Sequence, residues 1–169
     1  MRRRRGRGKI APQIEVIVRS SRWRSEPRAA AMVRKAIRAA AEVASTPHAE
    51  LAIVLSDDSA IRALNRDWRG ENAPTNVLSF PAPAPCRTAG ASLHIGDIVI
   101  AYRTTTREAK AEGKPFNHHL AHLAVHGFLH LLGYDHDNDR KARVMERLER
   151  TILARIGIPD PYATRDAEA

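Results

Sequence analysis

The residue types with the most to offer chemically are concentrated in one stretch, His126-Gly127-Phe128-Leu129-His130-Leu131-Leu132-Gly133-Tyr134-Asp135-His136. Residues four apart on a helix lie one turn above each other on one face, so His126 and His130 can aim two imidazoles at a single cation. Gly133 suits the left-handed position past a helix end and turns the chain back, so that His136 supplies a third nitrogen from outside the helix. Three histidines with a fourth position open to water or substrate is the usual build of a catalytic zinc site, and one Zn2+ per chain is the expected cofactor. Nickel, copper and iron also accept imidazole, so ligand type alone leaves the metal open. The ion would sit near a helix C-terminus, where the dipole favours positive charge. A single histidine on an apolar face is more often an ordinary hydrogen-bonded residue. Here His118, His122, His126 and His130 form an i, i+4 series in an otherwise apolar segment. Burying them without a common purpose would strand several ring nitrogens at about 1–3 kcal/mol each. His118 and His122 are not counted as ligands; support of the ligands, substrate contact and plain solvation remain open for them.

Two hydrolytic chemistries compete for such a centre. His130-x-x-Gly133-x-x-His136 repeats the second half of the metzincin protease pattern H-E-x-x-H-x-x-G-x-x-H, in which the Glu takes a proton from the attacking water. That position is Gly127 in this chain, which accepts no proton. Phosphodiester cleavage depends less on a carboxylate base. It needs a Lewis acid on a phosphoryl oxygen, a nucleophile and a cation for the developing charge. Arg69, in Leu64-Asn65-Arg66-Asp67-Trp68-Arg69-Gly70, is the candidate for that cation, because a guanidinium grips phosphate through two parallel hydrogen bonds. In so basic a chain, one arginine at a helix end is also readily explained as a solvated charge.

These residues need a frame. Ile14, Val16 and Val18 alternate as in a half-buried strand, and Leu51 to Leu55 and Ile95 to Ile100 read as further strands. Val77 to Phe80 reads as a fourth, closed by Pro81. Pro27 opens an Ala-rich helix, and Asp57 or Asp58 caps a helix carrying Ile61, Leu64 and Trp68. A polar helix is expected from about Thr104 to Glu112, then a long apolar helix capped by Asn117 and ending at Leu132. A last helix runs from about Asp139 to Ile156, with Val144, Met145, Leu148 and Ile152 on its apolar stripe. About four strands and about five helices without strict βα alternation predict an α+β layer fold, a small mixed sheet packed with helices, rather than a doubly wound sheet. Neither GxGxxG nor GxxxxGK[ST] occurs, which excludes nucleotide binding by those loops.

The 169 residues fit one domain, expected over 10–162, between a basic arm at 1–9 and a tail at 163–169. The net charge is +9, and the arm alone holds Arg2, Arg3, Arg4, Arg5, Arg7 and Lys9; without those six the excess falls to +3. The arm reads either as a solvated tail or as an electrostatic tether for RNA or ribosomes through phosphate contacts. A transit peptide fits less well, because serines and amphipathic pattern are lacking. Aromatic residues are 5% of the chain, which argues against a run of exposed rings as the main grip on nucleic acid. The lone Cys86 excludes an internal disulfide and a Cys-rich zinc site and fits a reducing cytosol. Neither a membrane-spanning apolar run nor a secretory signal is expected.

Three blocks, LNRDWRGENAPTNVLSFP at 64–81, GDIVI at 96–100 and HHLAHLAVHGFLHLLGYDH at 118–136, together with GIPDPY at 157–162, resemble the YbeY family of endoribonucleases. The histidine block is the specific one; GDIVI alone would be weak. The resemblance implies a compact α+β domain, zinc on His126, His130 and His136, and an activity-linked arginine at Arg69. It implies metal-dependent cleavage of single-stranded RNA, with roles in maturing the 3′ end of small-subunit ribosomal RNA and in ribosome quality control, in the cytoplasm. The implied partners are single-stranded RNA, small-subunit ribosomal RNA and the ribosome, with no membrane and no DNA. Asp135, beside His136, is a further candidate catalytic residue that would orient a ligand ring or shuttle a proton, with structural capping as the alternative. Asp97 in GDIVI reads as a strand-end structural residue, with cleft lining as the alternative. Trp68 stands where a tyrosine is common, the arm before Ile10 is not part of the family pattern, and Cys86 and His94 inherit no role. Attack by water or by the RNA 2′-OH is left open. A metalloprotease-like hydrolase and a non-catalytic ribosome-associated metal-binding protein are the competing readings.

Overall fold

A computed structural model describes residues 11–83 and 92–163. The basic arm at 1–9, Ile10, Cys86 and the tail past residue 163 lie outside the described residues. The fold is α+β. Four strands, β1 (Gln13–Val18), β2 (Ala49–Ser56), β3 (Val77–Pro81) and β4 (Leu93–Ala101), form one mixed sheet in the order β1-β2-β4-β3. β1, β2 and β4 are parallel, and β3 closes one edge antiparallel to β4, with Val77 opposite Ile100 and Pro81 opposite Gly96. Five α-helices pack on it: α1 (Ala29–Val43), α2 (Asp58–Arg69), α3 (Tyr102–Ala111), α4 (Phe116–Leu131) and α5 (Asp139–Arg155).

The period-2 alternation of the strands divides the apolar residues between two cores. Leu51, Ile53 and Leu55 of β2 and Ile98 and Ile100 of β4 point into the larger core, against α1, α4 and α5. Val99 and Ala101 point to the opposite face and meet Ile61 of α2 with Leu78 of β3. The edge of β3 thus runs between α2 on one face and α4 on the other.

Side chains cap two of the five α-helices. Asp57 caps α2, its carboxylate accepting from the Ala60 N–H at 2.9 Å, and Asn138 caps α5 in the same way from Lys141 at 3.0 Å. α4 departs from expectation at its start: its cap is Pro115, and Asn117 lies inside the first turn without capping it. A proline holds the extended backbone that precedes a helix, and that conformation serves in place of a side-chain cap. α1 begins two residues after Pro27, and an unanticipated 3-10 helix (Ser21–Ser25) precedes it. That short helix seats buried Trp23, whose indole N–H donates to the Ser56 carbonyl at 2.8 Å. Val144, assigned to the stripe of α5, is instead 45% exposed, while Met145 and Ile152 are buried. Among the described residues no helix is long and apolar enough to cross a membrane.

Candidate metal centre and cleft

α4 is buried on nearly every side. From His119 to Leu131 its only residues that are not buried are His122, His126 and His130, so the one open strip of this helix is a ladder of imidazoles. The first residues past the helix turn back through Gly133 at φ 90°, a conformation natural to glycine, and bring His136 over the end of the ladder. The ring centroid of His136 is 5.6 Å from that of His126 and 5.1 Å from that of His130. One ligand nitrogen from each of the three histidines lies within 4.8 Å of the others, a group able to hold a metal ion. The Nε2 atoms of His126 and His130 are 3.1 Å apart. Nitrogens at about 2.0–2.1 Å from one tetrahedral centre are separated by about 3.3 Å, so the spacing of this pair is close to that of two imidazoles on one ion.

The electrostatics favour the ligating form. Burial and the neighbouring His126 and His136 hold the His130 pKa below its ordinary value, which keeps this ring neutral and its lone pair free. The other support was not anticipated. Glu149 of α5 is completely buried beneath the ladder. Its Oε1 accepts from His126 Nδ1 at 2.8 Å and its Oε2 from His122 Nε2 at 2.9 Å, with the Tyr162 hydroxyl on the same oxygen. With Nδ1–H committed to Glu149, His126 presents Nε2 as an acceptor toward the cluster, the carboxylate–histidine–metal arrangement. The sequence does carry a signal for Glu149: it falls four residues after Met145 and three before Ile152, a charge in the apolar stripe of α5. A second histidine–carboxylate pair, with the histidine buried and the carboxylate half-buried, lies one turn back. His119, not His118, faces Glu108 of α3 at 2.9 Å, and Glu108 also accepts from the Asn76 amide at 2.9 Å.

Two adjoining pockets open along the edge of β3. One, of about 460 Å³, is lined by His126, His130, His136, Asp135, Asp137 and Arg69, with Thr75 to Ser79 and Pro81. The other, of about 490 Å³, holds Glu108, Lys114, His119, His122 and Tyr162 and shares Asn76, Val77 and His126 with the first. His118 lines neither of them. Arg69 reaches the first pocket from the last residue of α2, exposed and, among the described residues, without an ion-pair partner, whereas Arg66 pairs with Asp67 at 2.8 Å. Asp135 also lines that pocket, but its carboxylate accepts from the backbone N–H of His136 at 2.7 Å rather than from a ligand ring, so it shapes the turn that carries His136. Asp97, half-exposed on β4 and 3.8 Å from His94, lines neither pocket.

Gly127 has a reason of its own. A Cβ there would stand 2.9 Å from Ile98 Cγ2 and 3.1 Å from Ser79 Oγ, and Ser79 already donates to the Gly127 carbonyl at 3.0 Å. The helix lies so close to the sheet that the position has no room for the protease glutamate. In an open helix Gly→Ala would add about 1 kcal/mol of stability. Gly127→Ala is expected to cost about 1–3 kcal/mol instead, read as a lowered Tm.

The family model described as Endoribonuclease YbeY matches residues 16–157, which includes every element from α1 to α5. The chain belongs to the YbeY family. It is 56% identical over 161 residues to the "Endoribonuclease YbeY" of Rhodopseudomonas palustris strain BisA53, covering 93% of this chain and 94% of that one. It is 54% identical over 159 residues to the protein of that name from Bradyrhizobium diazoefficiens, covering 91% and 87%. Among solved structures, the solution structure of TM1509 from Thermotoga maritima matches with a TM-score of 0.56 at 19% identity, over 85% of this chain and 91% of that one, a likeness of fold.

Proposed function

We propose that this YbeY family member is a zinc-dependent endoribonuclease specific for single-stranded RNA, working in the cytoplasm on the 3′ end of small-subunit ribosomal RNA and in ribosome quality control. The observation that carries the reading is the convergence of His126, His130, His136 and Arg69 on one pocket in a chain of this family. A zinc ion bound by the three imidazoles would supply Lewis acidity toward a phosphoryl oxygen. The protein's own groups do the rest. Glu149 orients His126 through Nδ1, and neutral His130 needs no deprotonation to bind. The Arg69 guanidinium binds the scissile or adjacent phosphate and offsets charge as it develops. Asp135 holds the turn of His136 and lines the same pocket. The pocket lies along an open strand edge, which suits an extended single strand better than a duplex.

The test uses purified protein, chelated and then reloaded with zinc, on matched single-stranded and duplex RNAs. Cleavage of the single strand alone, lost on chelation and restored at about one zinc per chain, supports the reading. Degradation of casein in place of RNA overturns it. Product ends identify the nucleophile, since 2′-OH attack leaves a 2′,3′-cyclic phosphate. Arg69→Ala is expected to lower kcat/KM by about a hundredfold with zinc content unchanged, the cost typical of removing one charge-stabilising donor. Arg69→Lys should recover part of it, because the charge remains but the paired donors do not.

A further inference from the structure

Of the two tryptophans, one is buried and tied to the Ser56 carbonyl, while Trp68 is 72% exposed, the largest apolar side chain left in water. Single exposed apolar residues are ordinary, so exposure alone means little. The position of Trp68 adds to it. Trp68 precedes Arg69, which lines the pocket of the metal centre. Its ring meets the Phe80 ring edge-on, with centroids 5.7 Å apart and planes at 68°. Phe80 in turn lies on the edge strand β3 between Ser79 and Pro81, both of which line that pocket. Neither ring lines the pocket itself: Phe80 packs on the α2 face of the sheet edge, and the indole stands beside the cleft, held by one edge contact that leaves most of its surface to solvent. No charge competes for this ring: the one cation seated over an aromatic face among the described residues is Arg150, on Tyr162.

From this geometry we propose that Trp68 is a stacking platform for one unpaired base of the RNA, next to the phosphate held by Arg69. The inference rests on the endoribonuclease reading and adds to it a named base-binding site. An indole offers a flat face to any base, so the site selects for an unpaired base and not for sequence. In a duplex both faces of each base are already stacked, so the platform also contributes to single-strand preference. One platform beside one guanidinium is enough to set the position of the strand in the cleft, without the run of exposed rings that the composition argues against.

The test is direct because Trp23 is shielded. The zinc-loaded full-length protein is titrated with a fluorescently labelled ten-nucleotide RNA carrying 2′-O-methyl riboses, and anisotropy and tryptophan emission are read together. A matched unmodified RNA is used for cleavage. The expected result is quenching of the Trp68 emission in step with binding, and binding about tenfold weaker in Trp68→Ala, with most of it restored in Trp68→Phe. In cleavage the loss should fall mainly on KM, and the zinc content of the variant should equal that of the parent. If the parent binds and cleaves RNA but its emission is unchanged and Trp68→Ala binds equally well, the platform is overturned and the endoribonuclease reading stands. If the parent neither binds nor cleaves RNA, both fall together.

Discussion

His136→Ala is expected to strip the chain of zinc and lower RNA cleavage by about a thousandfold or more, while the fold persists. Loss of a Lewis acid worth several kcal/mol at the transition state corresponds to that range, at about 1.4 kcal/mol per factor of ten. His136 is the informative ligand because it is exposed and comes from the turn after α4, so its ring carries little of the packing. His126→Ala should abolish metal binding as well, but it also removes the donor from Glu149 Oε1, a buried carboxylate, and so mixes a folding defect with the loss of metal. Elemental analysis, far-UV circular dichroism and single-strand cleavage on the same three samples separate the two effects. Metal lost from His136→Ala with cleavage intact would make the histidines a structural site, or the activity a contaminant, and would remove the mechanism proposed above.

The histidine cluster was legible because its grammar is local. The four-residue spacing of His126 and His130, the turn glycine and His136 all lie within eleven residues, and helix geometry alone brings them together. The strands were legible for a similar reason, since alternation around Ile14, Val16 and Leu51 to Leu55 is a property of the local pattern, although Val18, read with Ile14 and Val16, is 55% exposed. The supports of the site were not, because they are long-range. Glu149 follows His126 by 23 residues, and Asn76 and Glu108 are 32 apart, so only the packing of α3 and α5 against α4 creates those contacts. His118 and His119 show the limit of spacing arguments. The i, i+4 series selects His118, yet the neighbour that α3 happens to face is His119. Asn117 failed as a cap because Pro115 already fixes the entry into α4.

Glu149→Gln is expected to weaken zinc binding by about ten- to a hundredfold, the usual cost of removing a hydrogen-bonded support of a metal-binding histidine. The substitution keeps the shape but replaces one acceptor oxygen by an N–H2 group. Glu149 accepts on both oxygens, from His126 on one and from His122 and Tyr162 on the other, so the amide must present donors to one of those sides. If it faces His126, the ring answers by moving its proton to Nε2, and the lone pair aimed at the metal is gone. If it faces His122, that ring must shift its proton to Nδ1, an atom buried without a partner. Either arrangement costs metal affinity or stability, and chelator competition beside thermal unfolding tells which. The acid limb gives an independent readout. Burial opposes ionisation of Glu149, but hydrogen bonds from His122 and His126 outweigh it and hold the carboxyl at about 2. A carboxyl depressed in the folded state adds stability above its ordinary pKa near 4.5 and loses it as pH falls toward about 2. The stability gap between the metal-free parent and metal-free Glu149→Gln should therefore be full above about pH 5 and shrink progressively below it. A gap that stayed constant down to pH 2 would mean that the carboxylate charge is not what holds His122 and His126 in place.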